Sequence, residues 1–160
     1  MTPPDALLKA LAGGGVDFIL VGGVAASLHG SSRLTEDIDV VYARTRDNME
    51  RLVAALQPYH PYLRGAPVGL PFRWDVDALE HGLNFTLTTD LGGLDLLGEV
   101  SGGGTYAGLI EDSILVELFG IECRCLGLRR LIEVKRAAGR PKDLEAIAEL
   151  EVILEERGGS

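Results

Sequence analysis

A mixed α/β (α+β) fold, one β-sheet flanked by helices, is the architecture that the 160-residue sequence predicts. Apolar runs of strand length end in Gly or Asp and alternate with segments whose apolar residues recur at helical spacing. The chain then finishes in a long helical pattern, residues 128–157. No internal repeat or linker divides it, so 1–160 is expected to be one domain, long enough to bury a core.

The elements run in order. Asp5 to Ala12 reads as a short amphipathic helix stopped by Gly13-Gly14-Gly15. Val16 to Val21 is a compact apolar strand ended by Gly22-Gly23, and Val24 to His29 is a brief helix closed by Gly30. A polar loop, Ser31 to Glu36, leads to the β-branched strand Asp37 to Tyr42. Thr45 to Leu56 has Met49, Leu52, Val53 and Leu56 on one helical face, and Pro58 and Pro61 forbid continuation. Tyr59 to Asp77, rich in Pro, Gly and aromatics, has no clear period. Asn84 to Thr89 alternates as a strand, Asp90 to Gly93 is a turn, and Leu94 to Leu97 is the partner strand. Ser113 to Phe119 and Ile121 to Leu126 form a hairpin about Gly120. Leu128 to Ala138 is helical, and after Gly139-Arg140-Pro141 a last helix begins, with Pro141 in the first turn, where a missing N–H is harmless.

Composition narrows the function. Apolar residues at 46% exclude a disordered chain, and no apolar run reaches the ~18 residues of a membrane span. The N-terminal Met1 to Asp5 lacks the basic start of a signal peptide, so a cytoplasmic location is expected. Cys123 and Cys125 have no further Cys or His in metal-ligand range and are expected to be reduced thiols, at least one of them buried. A net charge of −9 disfavours broad nucleic-acid coating but not a small anion held by a local basic cluster.

The informative stretch is Leu20 to Val41, LVGGVAASLHGSSRLTEDIDVV. Gly22 and Gly23 end a strand and open a helix, which lets backbone N–H groups approach a phosphate. Asp37 and Asp39 lie two apart on a strand, so their carboxylates share a face while Ile38 and Val40 take the other. Two carboxylates so placed repel unless a cation joins them, and Mg²⁺ favours such oxygen ligands while leaving room for phosphates.

The string Gly22-Gly23-Val-Ala25, with His29-Gly30, Arg33, Thr35 and Asp37-Ile38-Asp39, resembles the signature of the polymerase-beta-type nucleotidyltransferase superfamily. It is similar to small bacterial members, including toxins of toxin–antitoxin and abortive-infection systems. Asp95 in GGLDLL matches the third acid of that pattern, and Lys135 to Leu144 resembles its basic helical segment. The resemblance implies transfer of a nucleoside monophosphate from a nucleoside triphosphate, ATP or another, to an acceptor nucleophile on an RNA or a protein, with Mg²⁺ or Mn²⁺. Carried over, Asp37, Asp39 and Asp95 bind metal and serve catalysis, Asp95 by orienting or deprotonating the attacking group. Gly22, Gly23, Arg33, Lys135, Arg140 and Lys142 bind the nucleotide. Many active transferases have Ser after the first glycine, where this chain has Gly23. An antitoxin protein is the partner implied, and no membrane is.

Plainer roles stand beside these. Gly22-Gly23 also suits an ordinary strand-to-helix turn, and Asp39 could pair with Arg33. Arg33 and Thr35 either touch phosphate or pin their loop. Lys135, Arg136, Arg140 and Lys142 suit either a triphosphate pocket or a solvated helix face with ion pairs. His29 is expected to pack or cap, and Trp74 and Phe72 to anchor a Pro-rich loop. The alternative function is a degenerate, non-catalytic relative that binds a nucleotide or a protein, and it would be favoured by Asp95 pointing away from Asp37 and Asp39.

Overall fold

The computed structural model describes residues 4–32, 37–67, 69–102 and 104–158. Helix α1 (Pro4–Gly13) buries Leu7, Leu8 and Leu11 along one side. Strand β1 (Phe18–Val21) is buried at every position, as a central strand must be. Helix α2 (Gly22–Leu28) starts at the two glycines themselves, earlier than the apolar pattern suggests, so they form its first turn. Strand β2 (Ile38–Tyr42) comes next. Helix α3 (Arg46–Leu56) is capped by Thr45, whose hydroxyl accepts from the Asn48 N–H, and a 3-10 turn containing Pro58 succeeds it.

The aperiodic stretch holds a two-residue strand, β3 (Tyr62–Leu63), and its end overlaps a short helix, α4 (Val76–His81). Trp74 anchors this segment, donating from its indole N–H to the Val53 carbonyl at 3.1 Å, and Phe72 meets Tyr62 edge-on. Strands β4 (Phe85–Thr89) and β5 (Gly92–Leu97) form the expected pair, but Gly92 and Gly93 lie inside β5 and the turn is only Asp90-Leu91. A small ladder, β6 (Glu99–Val100) with β7 (Gly104–Thr105), and a short helix α5 (Tyr106–Leu109) lead to the hairpin β8 (Ser113–Leu118) and β9 (Ile121–Leu126). Helices α6 (Leu128–Ala138) and α7 (Pro141–Glu156) close the chain, divided at Gly139, which takes the left-handed conformation of a helix stop.

The main sheet has seven strands in the order β3-β4-β5-β2-β1-β9-β8. It is mixed: β2 runs parallel to β5 and β1 parallel to β9, while the remaining neighbours are antiparallel. Helix α3 packs against α1 and α4, and α6 against α2 and α7. Ile38 and Val40 are buried, as alternation requires for the face opposite the carboxylates. Asn48, wholly buried, ties the approach to β1 to the exit from β2: it accepts from the Asp17 N–H at 2.7 Å and donates to the carbonyls of Asp17 and Ala43. Both cysteines are buried free thiols, and burial pushes Cys125 up to about 12. No helix among the described residues is long and apolar enough to cross a membrane.

Candidate active site

Strand register assembles the carboxylates. Val21 lies opposite Asp39, and Asp39 opposite Asp95, so the end of β1, the start of β2 and the middle of β5 stand abreast. Asp95 thus points to Asp39, near enough for the two side chains to share a hydrogen bond. Burial, then that bond and the Asp95 charge, push the Asp39 carboxyl up to about 7; Lys135 opposes the rise. Asp37, just before β2, reaches the same row through Arg64, whose Nη1 lies 3.5 Å from Asp37 Oδ2 and 3.1 Å from Asp95 Oδ1.

Gly22 lies beneath this row. Its φ of +67° is left-handed, and an ideal Cβ there would stand 1.9 Å from Asp39 Oδ2. Only glycine lets β1 turn into α2 with the Asp39 carboxylate against the backbone. Val21, at the helix N-cap, has no side-chain cap bond to offer the first-turn N–H groups.

The second wall comes from α6 and α7. A cleft of about 350 Å³ is lined by Gly22, Asp39 and Asp95 on the sheet side and by Lys135, Arg140 and Lys142 on the helix side. Burial lowers the Lys135 ammonium, against the attraction of Asp143 and Asp39. Asp143 caps the start of α7, its Oδ2 accepting from the Arg140 backbone N–H at 3.3 Å and from Arg140 Nε at 2.6 Å. Burial alone would raise the Asp143 carboxyl, but Arg140 and Lys135 hold it below the usual range. Arg136 instead pairs with Glu151 outside this cleft.

Of the residues singled out from sequence, the structure gathers Gly22, Asp39, Asp95, Lys135, Arg140 and Lys142 around one cleft. Asp37 joins the row but not the cleft lining, and Gly23 succeeds Gly22 in the first turn of α2. Arg33 and Thr35 lie outside the described residues. Sequence reasoning missed Arg64, Asn84, Glu99 and Ser101. The last three line the cleft, but the Tyr59–Asn84 stretch carries no motif and the β6–β7 ladder is too short to show a period.

The donor set suits a hard divalent ion, because Asp39 and Asp95 present carboxylate oxygens close enough to share a proton. Among the described residues, no three His, Cys, Asp or Glu side chains are already arranged as a metal centre, and a guanidinium stands between Asp37 and Asp95. The arrangement can hold a cation at the carboxylate row and an anion along α6 and the start of α7.

A family model described as the nucleotidyl transferase AbiEii toxin of type IV toxin–antitoxin systems matches residues 6–122. No curated protein matches the chain. Among solved structures, it is similar to the lincosamide antibiotic adenylyltransferase LnuA in its lincomycin-bound form. That likeness has a TM-score of 0.61 and 16% identity, and covers 93% of this chain and 94% of that one. A nucleotidyltransferase structure from Thermotoga maritima gives 0.55 and 15% over 93% and 94%. An antigenic nucleotidyltransferase-like protein from Paracoccidioides brasiliensis gives 0.52 and 18% over 91% and 72%. At these identities the likeness is one of fold.

Proposed function

Because the chain belongs to the AbiEii nucleotidyltransferase toxin family, we propose that its cleft takes a nucleoside triphosphate with Mg²⁺ or Mn²⁺ and passes the nucleoside monophosphate group to an acceptor nucleophile. The observation that carries this reading is the meeting of Gly22, Asp39 and Asp95 with Lys135, Arg140 and Lys142 around one cleft.

The three cations offset triphosphate charge, Lys135 as a point charge and Arg140 through its planar fork. Gly22 and Gly23 let the backbone N–H groups of the first turn of α2 approach phosphate oxygens. Asp39 and Asp95, with Asp37, would hold the divalent ion, which supplies charge neutralisation and polarises the phosphoryl group when bound. Asp95 takes the proton of the attacking hydroxyl as its oxygen bonds to the α-phosphorus. The bond from the α-phosphorus to the oxygen bridging to the β-phosphate breaks, and pyrophosphate leaves with that electron pair. The family's toxin–antitoxin setting supports an antitoxin protein as partner, and the acceptor is proposed to be an RNA or a protein.

Thermal unfolding tests the donor site. Each of the four nucleoside triphosphates is added with and without Mg²⁺ or Mn²⁺ to the wild type and to Asp37→Asn/Asp39→Asn. A ligand at a hundred times its Kd raises stability by about 2.7 kcal/mol. The expected result is a metal-dependent upward shift with at least one triphosphate that vanishes in the double variant. A shift that persists in that variant, or none in the wild type, overturns the assignment.

A further inference from the structure

Among the described residues, Arg64 is the cation that touches the carboxylate row from the far edge of the sheet. It comes directly after β3, and its backbone N–H donates to the Thr86 carbonyl at 2.9 Å. From that edge its side chain crosses β4, where Nη2 donates to the Leu87 carbonyl at 2.6 Å, and its Nη1 reaches Asp95 and Asp37. Strand β5 is notched to admit it. A Cβ at Gly93 would stand 2.3 Å from Asp37 Oδ1 and 2.7 Å from Arg64 Nη2, so a larger residue would force both side chains to shift.

Neighbouring carboxylates are mutually repulsive without a positive charge between them, and one guanidinium nitrogen, Nη1, here donates to Asp95 and lies in ion-pair range of Asp37. These side chains are also accessible: Arg64 and Asp95 are each 32% exposed and Asp37 is 49% exposed. Water and ions therefore reach the row, and the guanidinium has room to leave it. The Leu87 carbonyl is a tether that does not depend on either carboxylate.

We infer that Arg64 is the resident counter-cation of the carboxylate row, and that a divalent ion held by these carboxylates would have to displace its guanidinium. Arg64 is then a positioning residue that keeps the acids together in the metal-free protein and sets how tightly the ion binds. The inference rests on the proposed reading of the row as a metal site. It adds that the site is self-neutralised until metal arrives, so metal affinity is lowered by competition from within the chain.

The test is Mn²⁺ binding without nucleotide, monitored by loss of the free-ion electron paramagnetic resonance signal, on the whole chain as wild type, Arg64→Met and Arg64→Lys. Removing the competing charge should tighten Mn²⁺ binding by about tenfold or more in Arg64→Met. Arg64→Lys, a point charge without the fork, should lie between. A residue that merely shapes the site would weaken binding on removal, so the direction of the change discriminates. Equal or weaker binding by Arg64→Met overturns the inference. Should that variant fail to fold, Arg64→Lys decides: tighter binding than wild type supports displacement, and equal or weaker binding overturns it. If every form binds Mn²⁺ alike, the metal site stands and only the role of Arg64 falls. If none binds, including wild type, the metal reading itself falls and this inference with it.

Discussion

At Gly22 two independent demands coincide: a left-handed backbone, and a carboxylate oxygen where a side chain would begin. Gly22→Ala would be strained by about 1–2 kcal/mol from its φ alone, and would push Asp39 off its register with Asp95. A displacement of about 1 Å at such a group lowers turnover by about 100-fold. We therefore expect Gly22→Ala to lose at least that much kcat/KM in a pyrophosphate-release assay, with a Tm only modestly lower. Activity near wild type would show that Asp39 need not lie against the backbone. At this scale the sequence is legible where chemistry has a spacing. Gly22, Asp37 and Asp39 are close in the chain, and their types and order single out the turn and the carboxylate row that the strands bring together. Arg64 is not legible, because its contacts with Asp37 and Asp95 depend on which strand lies at the sheet edge.

Among the elements, α2 is held by its end. His29 finishes the helix, its N–H donating to Ala25 and Ala26 carbonyls, and its buried ring is a packing group as the sequence suggests. Nε2 lies 2.8 Å from the Leu126 carbonyl of β9, which makes it the protonated nitrogen, and Nδ1 accepts from Arg157 beyond α7 at 3.0 Å. One neutral imidazole thus joins three elements. Burial lowers its pKa below 6.5, and Arg157 lowers it further, against the Leu126 bond. The unfolded chain then binds the proton more readily, so this tie stabilises the fold fully above pH 6.5 and progressively less as pH falls towards the folded pKa. Chemical denaturation between about pH 7.5 and 5 should show the stability advantage of wild type over His29→Gln shrinking as pH falls, while the raised Asp39 carboxyl, which favours the fold as it protonates, acts equally on both. Identical slopes would mean that the ring does not stay neutral. Elements with long patterns, such as α3, β9 and α7, are readable because burial repeats along them. The short β3, α4, β6 and β7 are not, since two residues cannot alternate, six complete less than two helical turns, and their placement depends on neighbouring strands.

Across the whole molecule, the site is built from two ends of the chain. The family match stops at residue 122, inside β9, and Lys135, Arg140 and Lys142 lie beyond that point. These last helices are also structural, burying Leu128, Leu131, Ile132, Ile147 and Leu150. At about 1.5–3 kcal/mol for each buried side chain, their loss removes about 8–15 kcal/mol, the size of a domain's entire stability. A chain ending after Leu126 should therefore show no cooperative unfolding transition by circular dichroism; a sharp transition would make α6 and α7 an accessory. The mixed order of the sheet is less legible than its members, because β1 pairs with β9 from the opposite part of the sequence. That pairing bears on synthesis in the cell. At roughly 5–20 residues per second, Asp39 emerges from the ribosome about 5–20 s before Lys135 does. For that interval the nascent chain holds Asp39 but no cationic wall, so the cleft is whole only once the final helices are released.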